Sequence, residues 1–333
     1  MALKIALIGT GSVSRNNYAP YLAGQHDVEL GLYNRTHETA LQAGEEFGAT
    51  VFDSLEAVAQ WNPAAAMVLT SEMVHYELGM QLIGLGIRRI FWEKPLVAMN
   101  GQAHVTEDDF ARGKAMLDLA RQRGCETAMI FNYRFFEQTL AAKRIAAERN
   151  FGPVINVAGL VHYACWSHCI DLIHHFAGAV AEITALSGAS QHTASVVNIE
   201  AADVVAALRM ENGATGTLIG TAGMQWQHPL YELIFTFKNG RIHMRDLDGT
   251  LEILDGSSQL HESLSMVRHT ARWDQYADSF KKSLGAYLDS LRNGEPPPVS
   301  GLDGLRELQV EAALRRSIAQ KRPVTVQQEF PLI

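Results

Sequence analysis

Leu3-Lys4-Ile5-Ala6-Leu7-Ile8, followed by Gly9-Thr10-Gly11-Ser12-Val13-Ser14, is the stretch that decides the fold. The first six residues form a short apolar run that ends at a glycine turn, the pattern of a buried strand. The next six open a helix predicted to run through Tyr21 and Leu22. Gly9 permits the tight turn, and Gly11 lets the backbone come close to a ligand. A helix amino terminus offers free N–H groups and a positive dipole end to phosphate. Strand, glycine turn and helix, in that order, are what a dinucleotide-binding unit requires. The third position of the G-x-G-x-x-G spacing is Ser14, small enough for the helix to pack on the strand. Gly9, Thr10, Gly11, Ser12 and Val13 are therefore candidate cofactor-binding residues.

Working outward, a second strand, Val28 to Tyr33, ends at Asn34-Arg35-Thr36. An NAD enzyme tends to place an acid here, on the ribose 2′-hydroxyl. Positions 33 to 36 hold no acid. Asn34, Arg35 and Thr36 read as a 2′-phosphate site, with Arg35 as the cation; the alternative is a solvated turn arginine. NADP is the favoured cofactor, with NAD open. Strands are predicted at 49–52, 64–69, 89–92 and 128–131, alternating with helices at 37–47, 72–84 and 106–123. That alternation is the signature of a doubly wound parallel sheet. Thr70 ends one strand and is a further cofactor-binding candidate, and His75, near the next helix start, either faces the nicotinamide ribose or satisfies its own turn.

Arg89-Ile90-Phe91-Trp92 runs into Glu93-Lys94-Pro95. In open parallel sheets, ligands bind outside the carboxyl ends of the strands. Pro95 holds Lys94 to extended conformations, and either isomer of the Lys94-Pro95 bond is open. Lys94 is a candidate proton carrier beside the nucleotide and Glu93 an anchor for the strand end, and both are cofactor-binding candidates. The strand at 128–131 leads to Asn132-Tyr133-Arg134 at the mouth of the first domain, residues 1–134.

The pattern then changes. A helix (136–149), a strand (154–163) and a helix (166–176) precede a stretch, 181–254, of alternating β-branched positions. Glu211-Asn212-Gly213 and Lys238-Asn239-Gly240 are hairpin turns, which predict an antiparallel sheet. Two helices, 272–292 and 302–319, complete a second domain, residues 135–333. Hydrophobic residues are 47%, charged residues 19% and net charge −8, so the chain is globular with no basic surface for nucleic acid. Its apolar runs stop well short of the ~20 residues of a membrane helix. The amino terminus lacks a secretory signal, and three cysteines make no disulfide framework. A reduced, cytoplasmic protein is expected.

Together these pieces resemble the glucose-fructose oxidoreductase / inositol dehydrogenase / MocA family over essentially the whole chain. The resemblance rests on Gly9-Thr10-Gly11, Glu93-Lys94-Pro95, Asn132-Tyr133-Arg134-Phe135, His168-Cys169-Ile170-Asp171, and the segment from Gly294-Glu295-Pro296 to Gly304. It implies an α/β protein with an NAD(P)-binding Rossmann domain and a C-terminal domain built on a large, mostly antiparallel open sheet. It also implies reversible oxidation of sugars, cyclitols or related alcohols, and homodimers or homotetramers formed through that sheet. Members carry the lysine of this tripeptide and an aspartate four residues before a histidine. Lys94 and His168 match, and the aspartate position is Ala164, a departure from the pattern.

Removing a hydroxyl proton suits histidine, whose ordinary pKa is near neutrality. A lysine can stabilise charge on the same oxygen, and the two roles are exchangeable. Lys94 and His168 are the catalytic candidates. Tyr133, Arg134, Trp166 and Asp171 are the substrate-binding candidates. On a helix, His168 and Asp171 share a face, so Asp171 either orients His168 or pairs within the helix. Trp166 is a wall against a ligand or a core aromatic. Trp226, His228 and Trp273 are further candidates. Cys165, His168 and Cys169 fall short of a zinc donor set, so no metal is expected. The expected partner is a small-molecule substrate, with neither nucleic acid nor membrane. One rival reading is a non-catalytic NADP-binding sensor of the same fold. Another is a diol or carbonyl substrate with no sugar.

Overall fold

The computed structural model describes residues 2–194, 199–267 and 270–332; residues 195–198 of the predicted β stretch lie outside the described residues. Two compact units emerge. The first comprises Met1–Gly101, Asp108–Ile130 and Phe280–Leu308; the second comprises Gln102–Glu107, Phe131–Ser279 and Gln309–Ile333. A single cut after residue 134 differs from this division, because Phe280–Leu308 belongs to the first unit. Gly113 and Gly304 help to seat that segment: a Cβ at Gly113 would meet Leu308 at 3.0 Å, and one at Gly304 would meet Met129 at 2.8 Å.

The first unit is built on six strands: β1 (Leu3–Ile8), β2 (Val28–Tyr33), β3 (Thr50–Phe52), β4 (Ala65–Val68), β5 (Arg89–Trp92) and β6 (Glu126–Met129). They form one sheet in the order β3-β2-β1-β4-β5-β6, with every pair parallel. Ile5 to Ile8 and all of β4 are buried, as strands covered on both faces must be. The strand order reverses at β1 and β4, which opens a crevice at their carboxyl ends. The predicted strand 128–131 is displaced. β6 starts at Glu126, where Arg89 Nε meets Glu126 Oε2 at 2.9 Å, and Phe131 has already left the strand. An apolar run carries no mark of where a strand ends and a buried turn begins. The sequence reading also missed the helix Leu55–Gln60, although Ser54 caps it by accepting the Ala57 N–H at 3.1 Å.

The second unit holds a nine-stranded sheet: β7 (Val154–His162), β8 (Val180–Thr193), β9 (Glu200–Met210), β10 (Thr215–Thr221), β11 (Tyr231–Phe237), β12 (Gly240–Arg245), β13 (Leu251–Asp255), β14 (His261–Leu264) and β15 (Val324–Thr325). The order is β14-β13-β12-β11-β7-β10-β9-β8-β15. It is antiparallel except for β7 with β10. The predicted turns at 211–213 and 238–240 join β9 to β10 and β11 to β12. Burial alternates along β9 and β11, the mark of a sheet with one face packed.

Candidate active site

The crevice at the switch point is a cavity of about 620 Å³. It is lined by Gly9 and Gly11 after β1, Asn34, Arg35 and Thr36 after β2, and Leu69, Thr70 and Ser71 after β4. Gly9 has φ +106°, and a Cβ there would meet Thr70 Cγ2 at 3.0 Å and Leu69 O at 3.1 Å. At Gly11 a Cβ would meet nothing within 4 Å, so that space is open toward the cavity. After Gly11 the chain turns helical, π over Ser14–Tyr18 and α over Ala19–Ala23. Ser14 is buried at the third motif position.

These features fit a dinucleotide. The volume lies in the range of small-molecule sites. The Thr70 hydroxyl oxygen is buried in the wall with no hydrogen-bond partner among the described residues. Gly9, Gly11, Thr70 and Arg35 would hold such a group. Asn34 is committed within the protein. Its Oδ1 accepts the Thr10 N–H at 3.2 Å, and its Nδ2 donates to Thr39 Oγ1 at 2.6 Å and Thr36 O at 3.0 Å. It joins the turns after β1 and β2. Arg35 is exposed and unpaired among the described residues. The two glycines make separable demands. Gly9→Ala should cost about 1–3 kcal/mol of stability through backbone strain. Gly11→Val should leave Tm unchanged and weaken dinucleotide binding by about tenfold or more, roughly 1.4 kcal/mol. Thermal melts and cofactor titration check both, and an equal loss of stability in the two variants would refute the distinction.

At the end of β5, Lys94-Pro95 is a cis peptide. Glu93 anchors this end: the Tyr18 hydroxyl donates to Glu93 Oε1 at 2.6 Å, and the Lys94 N–H donates to Oε2 at 3.1 Å. Burial pushes the Glu93 carboxyl above its usual range, against the pull of Tyr18 and Lys94. Lys94 itself is half-buried. His75, expected at the ribose or in its own turn, is fully buried, and both ring nitrogens face backbone carbonyls. Burial pushes its pKa below the ordinary value.

In the second unit, β7 leads through a short 3-10 turn, Tyr163–Cys165, into the helix Trp166–Ala177. Ala164 lies in that turn, where its N–H donates to His162 Nδ1 at 3.0 Å. His168 is 3% exposed, and its ring stacks on Tyr133 at 4.0 Å between centroids with 7° between planes. Phe131 meets it edge-on at 5.9 Å. The Tyr133 hydroxyl contacts Cys165 Sγ at 3.1 Å. Asp171 pairs with Arg134, Nε to Oδ2 at 2.8 Å, and the second guanidinium nitrogen engages Oδ1. Arg134 and Asp171 thus form a buried ion pair. Trp166 is a core aromatic: it is 2% exposed and occupies the room that Gly220 leaves, where a Cβ would meet its ring at 2.7 Å. Sequence reasoning missed Tyr231. It is fully buried, 5.6 Å from Tyr133, with a hydroxyl that has no partner among the described residues. A tyrosine in an alternating strand carries no sequence mark of such a neighbour. No group of three His, Cys, Asp or Glu side chains suited to a metal occurs among the described residues.

Residues 3–131 match the profile of an oxidoreductase family described as an NAD-binding Rossmann fold, and residues 156–326 match that family's C-terminal alpha/beta domain. The myo-inositol 2-dehydrogenase of Thermotoga maritima is 25% identical over 355 residues, covering 98% of this chain and 99% of that protein. An Agrobacterium radiobacter oxidoreductase, solved in complex with NAD+, L-tartaric acid and magnesium, aligns with a TM-score of 0.81 at 17% identity, over 99% of this chain and 100% of its own. A levoglucosan dehydrogenase in complex with NADH aligns at 0.79 and 17% identity, over 98% and 99%. These two structures speak for the fold.

Proposed function

This chain belongs to the Gfo/Idh/MocA family of NAD-binding oxidoreductases, and from that premise we propose that it acts on the hydroxyl-bearing carbon of a sugar, cyclitol or related polyol, or on the matching carbonyl. The observation that carries this reading is the match of both family domains in order, with a relative named as an inositol dehydrogenase aligned along almost the whole chain. A bound nicotinamide dinucleotide supplies the acceptor or donor of the hydride. The remaining work falls to the chain. Gly9 and Gly11 admit the dinucleotide to the crevice. The Lys94 ammonium donates to the reacting oxygen and stabilises charge on it. His168, its ring plane held by Tyr133, takes or returns the hydroxyl proton. With Ala164 at the family's aspartate position, more of the proton chemistry rests on these two groups.

NADP is the proposed coenzyme. The unpaired Arg35 at the cavity supports it, together with the lack of an acid at positions 33 to 36. A panel of inositols, monosaccharides, levoglucosan, simple diols and the corresponding ketones, run with NAD+ and NADP+, tests both proposals through the absorbance of the reduced cofactor. Turnover of a polyol, with NADP+ bound about tenfold more tightly than NAD+ and Arg35→Ala erasing that preference, is the expected result. Tighter NAD+ binding would remove the role given to Arg35. Ala164 also supports a second reading, a sensor that binds the dinucleotide without chemistry. Tight cofactor binding with no turnover across the panel would favour it.

We also propose that the chain assembles through the open face of the nine-stranded sheet. Leu186, Val205, Ile219 and Leu160 are successive cross-strand partners on β8, β9, β10 and β7. Leu186 is 72% and Val205 47% exposed. An apolar row of this kind marks an interface. Light scattering should give a dimer or tetramer, and Val205→Glu should shift it to monomer; a monomeric parent protein would rule the interface out. The three buried free cysteines support a reducing, cytoplasmic setting.

A further inference from the structure

The loop from Glu93 to Ala98 is pinned at both ends by backbone bonds. The Glu93 N–H donates to Val68 O at 3.0 Å, and the Ala98 N–H donates to Glu72 O at 3.4 Å. Between those pins, the ring of His75 reaches the Pro95 backbone from outside the loop. Its Nδ1 lies 3.1 Å from Pro95 O, and its Nε2 lies 3.2 Å from Thr70 O. His75 is 0% exposed, so water does not compete for these contacts. Carbonyl oxygens only accept, so the ring must donate. A neutral ring donates to one carbonyl at a time, and an imidazolium donates to both. Pro95 follows the lysine of the proposed chemistry, and Thr70 lines the nucleotide cavity. The ring therefore spans two strand-end loops with different duties.

We infer that His75 is a positioning residue that holds the Lys94-Pro95 backbone in register with the Thr70 wall of the nucleotide cavity. It touches the carbonyls and acts on the chemistry through Lys94. A misplacement of about 1 Å in a reacting group can cost on the order of 100-fold in rate, so a brace of this kind matters without touching substrate. The kinetic arm of the test rests on the function proposed above, and the exchange arm does not.

Two variants separate positioning from simple structural support. His75→Leu fills the space and removes both donors, and His75→Gln keeps an N–H donor. In hydrogen exchange followed by mass spectrometry, His75→Leu should speed the amides of Lys94, Leu96 and Val97, and of Thr70 and Ser71, by about tenfold or more. The β1 amides should stay protected, and His75→Gln should return the loop to within about threefold of the parent protein. With a substrate found in the panel, His75→Leu should lose about 100-fold in kcat with KM for the dinucleotide within about threefold, and His75→Gln should recover most of the loss. Unchanged loop exchange in folded His75→Leu would overturn the inference, as would exchange raised uniformly across the first unit, or an intact kcat. If His75→Leu fails to fold, His75→Asn, whose shorter amide reaches one carbonyl at most, carries the same comparison. If the panel yields no substrate, the function proposal fails, and the exchange result alone decides the role of His75.

Discussion

Lys94→Met is expected to reduce turnover by roughly 10²–10⁴-fold, the range for losing a positioned proton-transfer or oxyanion-side group. Dinucleotide affinity should stay within about threefold, because the cavity is lined by residues after β1, β2 and β4, and Lys94 is not among them. Methionine keeps the stem of the side chain and removes the charge, so packing at the end of β5 is preserved. Steady-state kinetics on the substrate found in the panel, with cofactor titration by reduced-cofactor fluorescence, provides both readouts. Undiminished turnover would remove Lys94 from the mechanism. His168→Gln should show a loss of the same order. If the two side chains serve one reacting oxygen, the double variant should lose little more than the worse single variant, since groups that act as a unit are strongly non-additive. Multiplicative losses would assign them to separate steps.

Asp171→Asn is expected to be the most destabilising of the substitutions considered. The Asp171 side chain is 1% exposed and that of Arg134 14%. Removing one charge of a largely buried pair typically costs about 3–5 kcal/mol. For a unit of this size that corresponds to a fall in Tm of roughly 10 °C. Replacing both partners, Arg134→Met with Asp171→Leu, should recover most of the loss, because both charges of the pair are then removed from the interior together. Thermal melts of the two single variants and the double variant measure the coupling. The alternative role, in which Asp171 orients His168, predicts a shifted pH–rate profile with little change in Tm. That outcome would overturn the ion-pair assignment.

The sequence placed His168 and Asp171 one helical turn apart and left Asp171 open between two roles. The structure adds a third role, an ion pair with a residue outside the helix, Arg134, which is 37 residues away along the chain. Spacing along a helix reports only neighbours on that helix. Asn34 shows the same limit: the sequence reads it as a ligand residue, and only the fold shows that it also bridges two turns while lining the cavity. Trp166 illustrates it from the other side, since its place in the core depends on the missing side chain of Gly220.

Local order was legible from the chain alone. Alternating strands and helices, the glycine turn after β1 and the two Asn-Gly turns are set by short-range sterics and hydrophobic period, which act within a few residues. These were enough to expect a parallel sheet followed by an antiparallel one, and a dinucleotide site at the first turn. The tertiary structure alone decided the sheet order that opens the crevice at β1 and β4. It also decided the parallel pairing of β7 with β10, the transfer of Phe280–Leu308 to the first unit, and the commitment of His75 to two carbonyls rather than a ribose. Each of these depends on which distant groups satisfy a buried polar atom or fill a buried volume. Such partners are chosen by three-dimensional packing, and the sequence neighbourhood of one residue does not contain them.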